Sequence, residues 1–153
     1  MKIVTIKDFD DDEIVTSVIN DIYTEDKVVI NFHCAGGKDY LCDLLIREIN
    51  NNKDKVIVYG SQLLSNGFWL FYHIKCEKII LKDCHILIHK GQCYENIIGN
   101  DYKLRKEFFN NQFKNEEPIL KTFLTKKELK LYNRGGDVRI FDENRIKKIF
   151  NIE

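Results

Sequence analysis

Two runs of apolar, mostly β-branched residues flank an amphipathic segment, and this arrangement constrains the fold more than any other feature of the chain. The runs are KVVINF at residues 27–32 and KVIVY at residues 55–59. Continuous apolar runs of this length are typical of strands buried on both faces of a parallel sheet. Between them, four apolar residues recur at helical spacing and predict a helix over residues 39–50. Strand, helix and strand in this order predict an α/β fold.

The rest of the chain continues the alternation of strands and helices. The further predicted elements are a strand over 2–6, a helix capped by Asp10, a helix over 68–72, strands over 78–81 and 84–89, a partly helical segment over 94–113, a helix from Thr125 to about Tyr132, a strand over 137–141 and a final helix capped by Asp142. Pro118 is expected to end the helix that precedes it. Lys82 and Asp83 are too short a link for a crossover helix, so they predict a local break or an antiparallel step.

Length, composition and charge exclude several classes of protein. With 153 residues, one proline and no low-complexity linker, the sequence predicts a single domain over residues 1–153. The formal net charge is +0, so no global field attracts nucleic acid or an anionic membrane. The amino-terminal segment lacks the apolar run of a signal peptide, and no run approaches the roughly 20 residues that span a bilayer. We therefore expect a cytoplasmic protein with no nucleic-acid or membrane partner.

The five cysteines do not form a pattern that predicts a metal or redox site. They are Cys34, Cys42, Cys76, Cys84 and Cys93, and no two of them form a Cys-x-x-Cys pair. Zinc and dithiol sites usually contain such a pair. We expect reduced thiols, no metal and no other cofactor.

Three features come after predicted strands and could carry chemistry. Ser65 precedes an apolar helix, whose amino terminus favours negative charge and suits a nucleophile or an oxyanion site. Gly36 and Gly37 follow the preceding strand, and His89 ends a later one. Carboxyl ends of parallel strands meet at one edge of a sheet, so a nucleophile, a base and backbone donors could converge there. Each feature alone is explained more simply, as a helix cap, a tight turn or an ordinary histidine.

The order of these motifs resembles that in the proteolytic subunit of the Clp protease, a family of the ClpP/crotonase superfamily. The matching segments are VINFHCAGG at 29–37, QLLSNGF at 62–68 and LIH at 87–89. A weaker similarity covers nearly the whole chain and includes FLT at 123–125 and DV at 137–138. The resemblance implies a ClpP/crotonase-like spiral of βαβ units with a mainly parallel sheet.

The same resemblance implies an activity and a set of site residues. It implies a serine-type endopeptidase with Ser65 as the nucleophile and His89 as the general base. The backbone N–H groups of Gly37 and Asn66 would form the oxyanion hole. The implied substrate is a peptide or an unfolded polypeptide, and the implied assembly is a homo-oligomeric ring.

The chain departs from the family at the third catalytic position and at its start. Lys121 stands where the family has an aspartate, and Glu117 and Glu116 are the candidate substitutes. The first predicted strand begins at Lys2, where the family has an axial loop, so docking to a Clp unfoldase is not expected. Activity would then be weak or independent of an ATPase.

Two other functions stay open on the sequence. Lys121 at the acid position favours a catalytically degenerate, ring-forming or peptide-binding protein. The superfamily's other branch suggests a crotonase-type acyl-CoA enzyme, which uses similar backbone donors. We rank that reading lower because no basic site for the CoA phosphates stands out.

Overall fold

A computed structural model of the chain describes residues 1–90 and 102–153. It divides into two compact units, Met1–Leu87 with Arg139–Glu153, and Ile88–Val138. Cys93 and the first part of the predicted segment over residues 94–113 lie outside the described residues. A single domain over residues 1–153 stays a prediction.

The strands form one mainly parallel sheet. They are β1 (Lys2–Ile6), β2 (Val28–Cys34), β3 (Val56–Leu64), β4 (Glu77–Ile88) and β5 (Val138–Ile140), adjacent in that order. The pairs β1–β2, β2–β3 and β3–β4 are all parallel. Even-numbered residues of β2 are buried from Val28 to Cys34, whereas the alternate residues are half-buried or, at His33, exposed, so the strand is not fully buried on both faces as the apolar run predicts. The predicted α/β fold with a mainly parallel sheet is confirmed.

Helices and one short 3₁₀ turn connect the strands. In the first unit these are α1 (Asp12–Thr24), α2 (Asp39–Asn51), the 3₁₀ turn Lys53–Lys55, α3 (Asn66–His73) and α6 (Glu143–Ile149). The second unit contains α4 (Tyr102–Phe123) and α5 (Lys126–Asn133). Within residues 1–90 and 102–153, the helices are all too short or too polar to cross a membrane.

Side-chain caps fix where several helices begin. The cap of α1 is Asp11, whose carboxylate accepts from the backbone amides of Glu13 and Ile14, so the prediction of Asp10 was wrong by one residue. Asp142 accepts from the Arg145 amide and caps α6 as predicted. The predicted capping box is also present at α5.

An extra residue in β3 alters the register before the strand ends. Phe32 pairs with Gly60 but His33 pairs with Gln62, so Ser61 is left over as a bulge. The Ser61 hydroxyl donates to the carbonyl of Phe32 at 3.3 Å. After the bulge, the buried position of β3 becomes Leu63, which pairs with the buried Cys34.

The two strands predicted over 78–81 and 84–89 form one strand, and no antiparallel step separates them. β4 runs parallel to β3 throughout, and Asp83 between the two halves has φ of 64°. The register moves from Gly60↔Ile80 to Gln62↔His85, so the expected local break is an irregularity inside one strand. An aspartate tolerates this left-handed conformation better than most residues, which lets the chain resume its direction.

Pro118 does not end a helix, contrary to the prediction. It lies inside α4, which continues to Phe123. A proline removes one backbone donor and bends a helix, but the helix continues where other contacts hold both halves. Leu120 and Leu124, which both follow Pro118, are buried, so the segment after the proline is packed.

Candidate active site

Ser65 has an unusual backbone conformation between β3 and α3. Its φ is 53° and its ψ is −121°, a combination that residues other than glycine rarely adopt. Its amide donates to the carbonyl of Leu87 in β4 at 2.9 Å. Among the described residues, no first-turn amide of α3 donates to the Ser65 side chain. An ordinary capping serine has extended backbone and accepts such a bond, so a simple cap does not describe Ser65.

The packing of α3 maintains this conformation. Phe68 and Phe71 are fully buried, and the Phe71 and Phe150 rings meet edge to face with centroids 4.9 Å apart. At Gly67, a Cβ atom would lie 3.0 Å from the carbonyl oxygen of Cys34, so any larger residue would push the start of the helix away from β2 by a few tenths of an ångström. The strained turn is therefore held by a buried helix on one side and a strand on the other.

The predicted double-glycine turn contacts Ser65 directly. Gly36 has φ of 104°, which glycine adopts without strain. A Cβ atom at Gly36 would lie 2.9 Å from the Ser65 Cβ and 3.3 Å from its Oγ. The two strand ends therefore bring Gly36 and Ser65 together, and no side chain larger than a hydrogen atom fits between them.

Gly37 forms a parallel β-bridge with Phe9, and the backbone amide of Gly37 takes no part in the two hydrogen bonds of that bridge. The Phe9 amide donates to the Gly36 carbonyl at 2.7 Å, and the Lys38 amide donates to the Phe9 carbonyl at 3.2 Å. In a parallel bridge of this kind, the polar groups of the middle residue point away from its partner. The Gly37 carbonyl accepts from Asn66 Nδ2 at 2.6 Å. The two residues predicted to form the oxyanion hole are thus joined by a hydrogen bond.

Further contacts brace this turn and the start of α3. The second acceptor of Asn66 Nδ2 is Asp39 Oδ1, also at 2.6 Å. Lys38 Nζ lies 3.1 Å from Asp12 Oδ1, and the Tyr40 hydroxyl donates to the same carboxylate at 2.8 Å. The hydrogen bond from Tyr40 and the ion pair with Lys38 lower the pKa of Asp12. The turn after β2 is therefore tied to both α1 and α3.

His89 belongs to the second unit, where it faces a carboxylate that the sequence did not single out. Its Nδ1 lies 3.6 Å from Asp137 Oδ1. Of the two predicted substitutes for the family acid, Glu117 pairs with Lys121 at 2.5 Å and Glu116 accepts from the Tyr132 hydroxyl. Glu116 and Glu117 therefore each have a partner of their own within the second unit. Asp137 is the acid whose carboxylate lies beside the His89 imidazole. In the sequence, the Gly135–Gly136 turn and the resemblance at DV 137–138 marked that position, but neither indicated a contact with His89.

A serine–histidine contact that the sequence did not predict lies on the sheet. His33 Nδ1 lies 3.1 Å from Ser61 Oγ. The Ser61 hydroxyl also lies 3.3 Å from the Phe32 carbonyl, to which it donates. Ser61 lies within β3 and has no positive φ, so this pair lacks the strained strand-to-helix turn of Ser65. Ser61 is therefore a natural control for Ser65.

The described thiols are poor nucleophiles because they are buried. Burial raises the pKa of Cys34 and Cys84 to about 12 and that of Cys76 to about 11. Burial also raises the pKa of Cys42. A thiol acts as a nucleophile or metal ligand in its thiolate form. In the described part of the chain, no group of three or more histidine, cysteine or acidic residues is arranged to hold a metal ion.

Comparison with known proteins gives the fold. No family model matches the chain, and no curated protein matches it. Among solved structures, the ClpP1 N165D mutant from Listeria monocytogenes matches with a TM-score of 0.69. The match covers 98% of this chain and 88% of that chain, at 16% sequence identity. The chain therefore has a ClpP-like fold.

Proposed function

We propose that this protein is a Clp-like serine peptidase in which Ser65 is the nucleophile and His89 the general base. The backbone amides of Gly37 and Asn66 bind the oxyanion. The observation that carries the proposal is the strained backbone of Ser65, which is held against Gly36. A strained serine between a strand and a helix is the device by which other serine hydrolases present their hydroxyl. The ClpP-like fold supports the same assignment.

The proposed reaction is acyl transfer in two stages. Ser65 Oγ attacks the carbonyl carbon of a peptide bond while His89 takes the hydroxyl proton. The carbon–nitrogen bond then breaks, and His89 returns that proton to the leaving amine. Water hydrolyses the acyl-serine by the same route and restores the hydroxyl. Ser65 and His89 belong to different compact units, so their pairing is part of the proposal.

The amide donors of the proposed oxyanion hole follow from local structure. The first intrahelical backbone bond of α3 is donated by Phe68, so the Asn66 amide precedes the hydrogen-bonded turns of the helix. The pairing with Phe9 does not use the Gly37 amide. Removing one such donor from a serine hydrolase costs about 10²- to 10³-fold in kcat.

A serine-directed fluorophosphonate probe tests the proposal. Labelling of the wild-type protein followed by peptide mapping should place the adduct on Ser65. The Ser65→Ala variant should not react, and His89→Ala should react at least roughly 10²-fold more slowly. The Ser61→Ala variant is the matched control, because Ser61 is a serine of β3 that contacts a histidine, and it should label at the wild-type rate.

The outcome against the proposal is equally defined. A well-folded wild-type protein that fails to react would exclude a working serine nucleophile. Labelling that persists unchanged in His89→Ala would remove His89 from the mechanism.

We also propose that the substrate is a peptide and that the chain forms a homo-oligomeric ring. Cleavage of short fluorogenic peptides and light scattering after size-exclusion chromatography measure these two properties.

A catalytically degenerate peptide-binding protein is the second candidate. The observation that favours it is Lys121, which occupies the family's acid position and is paired with Glu117 at 2.5 Å. An extended peptide could still bind beside a strand through backbone hydrogen bonds when the chemistry is lost. Peptide binding by the wild type without cleavage, unchanged in Ser65→Ala, would select this function over the first.

A further inference from the structure

We propose that Asp137 is the positioning residue that orients the His89 imidazole, in place of the acid that the chain lacks at Lys121. The proposal rests on the proposed function, because that function assigns His89 as the base. His89 Nδ1 lies 3.6 Å from Asp137 Oδ1, with the His89 side chain 28% exposed and the Asp137 side chain 47% exposed. This separation is longer than a hydrogen bond, but such contacts commonly tighten when substrate binds.

The end of α5 fixes the position of Asp137. The Gly136 amide donates to the Leu131 carbonyl at 3.0 Å, and the Gly135 amide donates to the Tyr132 carbonyl at 2.9 Å. With Gly135 at φ of 81°, these two bonds form a Schellman motif, which reverses the chain direction at the helix end. Asp137 follows this turn directly. Its approach to His89 is therefore set by ordered backbone and not by a long loop.

The same helix end also holds the residue next to His89. Lys90 Nζ donates to the Asn133 carbonyl in the last turn of α5 at 3.1 Å. It also lies 5.9 Å from the centre of the Tyr132 ring, which is fully buried. A cation favours this position because the carboxyl end of a helix is negative. The segment carrying His89 and the turn carrying Asp137 are thus fastened to one helix terminus.

Glu116 and Glu117 are the other candidates for the acid that orients His89, and their contacts favour Asp137 for this role. Glu116 accepts from the buried Tyr132 hydroxyl, and Glu117 is paired with Lys121. An acid facing Nδ1 fixes the tautomer that carries its proton on Nδ1, so that Nε2 becomes the basic nitrogen. This is the tautomer that removal of a serine proton requires.

Nitrogen-15 NMR of the full chain tests the tautomer without any need for activity. His89→Gln assigns the signals among the four histidines. Wild-type neutral His89 should carry its proton on Nδ1. In Asp137→Ala the imidazole should move towards the Nε2-protonated form, and Asp137→Glu should retain the wild-type form. Glu117→Gln is the matched control and should not change the His89 signals. An unchanged tautomer in a folded Asp137→Ala protein would overturn the proposal.

Peptidase kinetics provide the second measurement. Asp137→Ala should lower kcat on the order of 10²-fold with little change in KM, less than the 10⁴-fold loss for a buried triad acid, because Asp137 is half exposed. Asp137→Glu should recover most of the rate. An active wild type with an equally active Asp137→Ala variant would overturn the proposal. If Asp137→Ala changes the His89 tautomer as expected but the wild-type protein shows no serine labelling, the contact with Asp137 is supported and the peptidase activity is refuted.

Discussion

Ser65 combines a strained backbone with a position that glycine could fill at lower cost. The left-handed φ of 53° costs about 1–3 kcal/mol at a non-glycine residue. Glycine removes that strain but adds about 0.5–1 kcal/mol of unfolded-state entropy. A residue retained under such strain is most simply explained by what its side chain does.

We therefore predict that Ser65→Gly stabilises the protein while abolishing serine labelling. The gain should be about 1 kcal/mol, which corresponds to a rise in Tm of about 3 °C for a chain of this size. Differential scanning calorimetry of the wild type and the variant measures it. Ser61→Gly, at a bulge without positive φ, is the comparison and should lower Tm. A Tm of Ser65→Gly below that of the wild type would contradict the strain.

The location of Ser65 could be predicted from sequence, whereas its geometry could not. A turn between an apolar strand and an apolar helix is a local pattern, and the serine stands within it. The φ of Ser65 depends on the carbonyl of Leu87 and on Gly36, both distant in sequence. Asp137 was missed for the same reason, since its contact with His89 joins two segments that no local pattern relates.

At the scale of elements, the turn after β2 constrains Gly36 more tightly than the turn after α5 constrains Gly135. We predict that Gly36→Ala lowers the free energy of unfolding by about 3 kcal/mol, because its Cβ meets Ser65 at 2.9 Å and its φ is left-handed. Gly135→Ala shares the positive φ but meets nothing within 4 Å, so it should cost only about 1 kcal/mol. Urea unfolding of both variants measures the difference. Equal losses would show that the contact with Ser65 adds nothing.

Elements with strong local patterns could be predicted, and those decided by neighbours could not. The apolar run of β2 and the capping box of α5 each carry their own signal. Pro118 carries a signal for helix termination, but buried Leu120 and Leu124 outweigh it. The short segment at Asp83 suggested two strands, but the parallel pairing with β3 resumes after it, so the two halves form a single strand. Local propensity gives way where burial or strand pairing beyond a breaker favours continuity.

At the scale of the whole molecule, one buried amine should influence how stability changes with pH. Burial lowers the pKa of Lys78 to about 8. Its Nζ donates to the Tyr72 carbonyl at 3.3 Å and lies 5.8 Å from the centre of the Phe71 ring. Between pH 8 and the ordinary lysine value, the unfolded chain binds a proton that the folded chain has lost. The free energy of unfolding therefore gains a contribution that rises with pH across this window and is smallest below it.

We predict that Lys78→Met stabilises the protein at pH 7 by about 1 kcal/mol, allowing for the partial exposure of the amine and its lost hydrogen bond, and that this difference from the wild type becomes smaller at pH 10. Urea unfolding at pH 7 and pH 10 measures both effects. The matched control is Lys82→Met, because Lys82 lies exposed on the same strand, and it should leave the pH dependence unchanged. A Lys78→Met protein that is less stable at pH 7 would show that the bond to Tyr72 outweighs the burial of charge.

The bulge at Ser61 has a consequence for how this gene can change. A three-nucleotide deletion of that codon would preserve the reading frame, and because Ser61 is the residue without a strand partner, Gln62 and Leu63 would stay opposite His33 and Cys34. Leu63 would remain in the interior, and the approach to Ser65 would keep its direction. Loss of a second residue from this stretch would instead turn Leu63 to the opposite surface of the strand, so the bulge gives the chain room for one deletion and not for two.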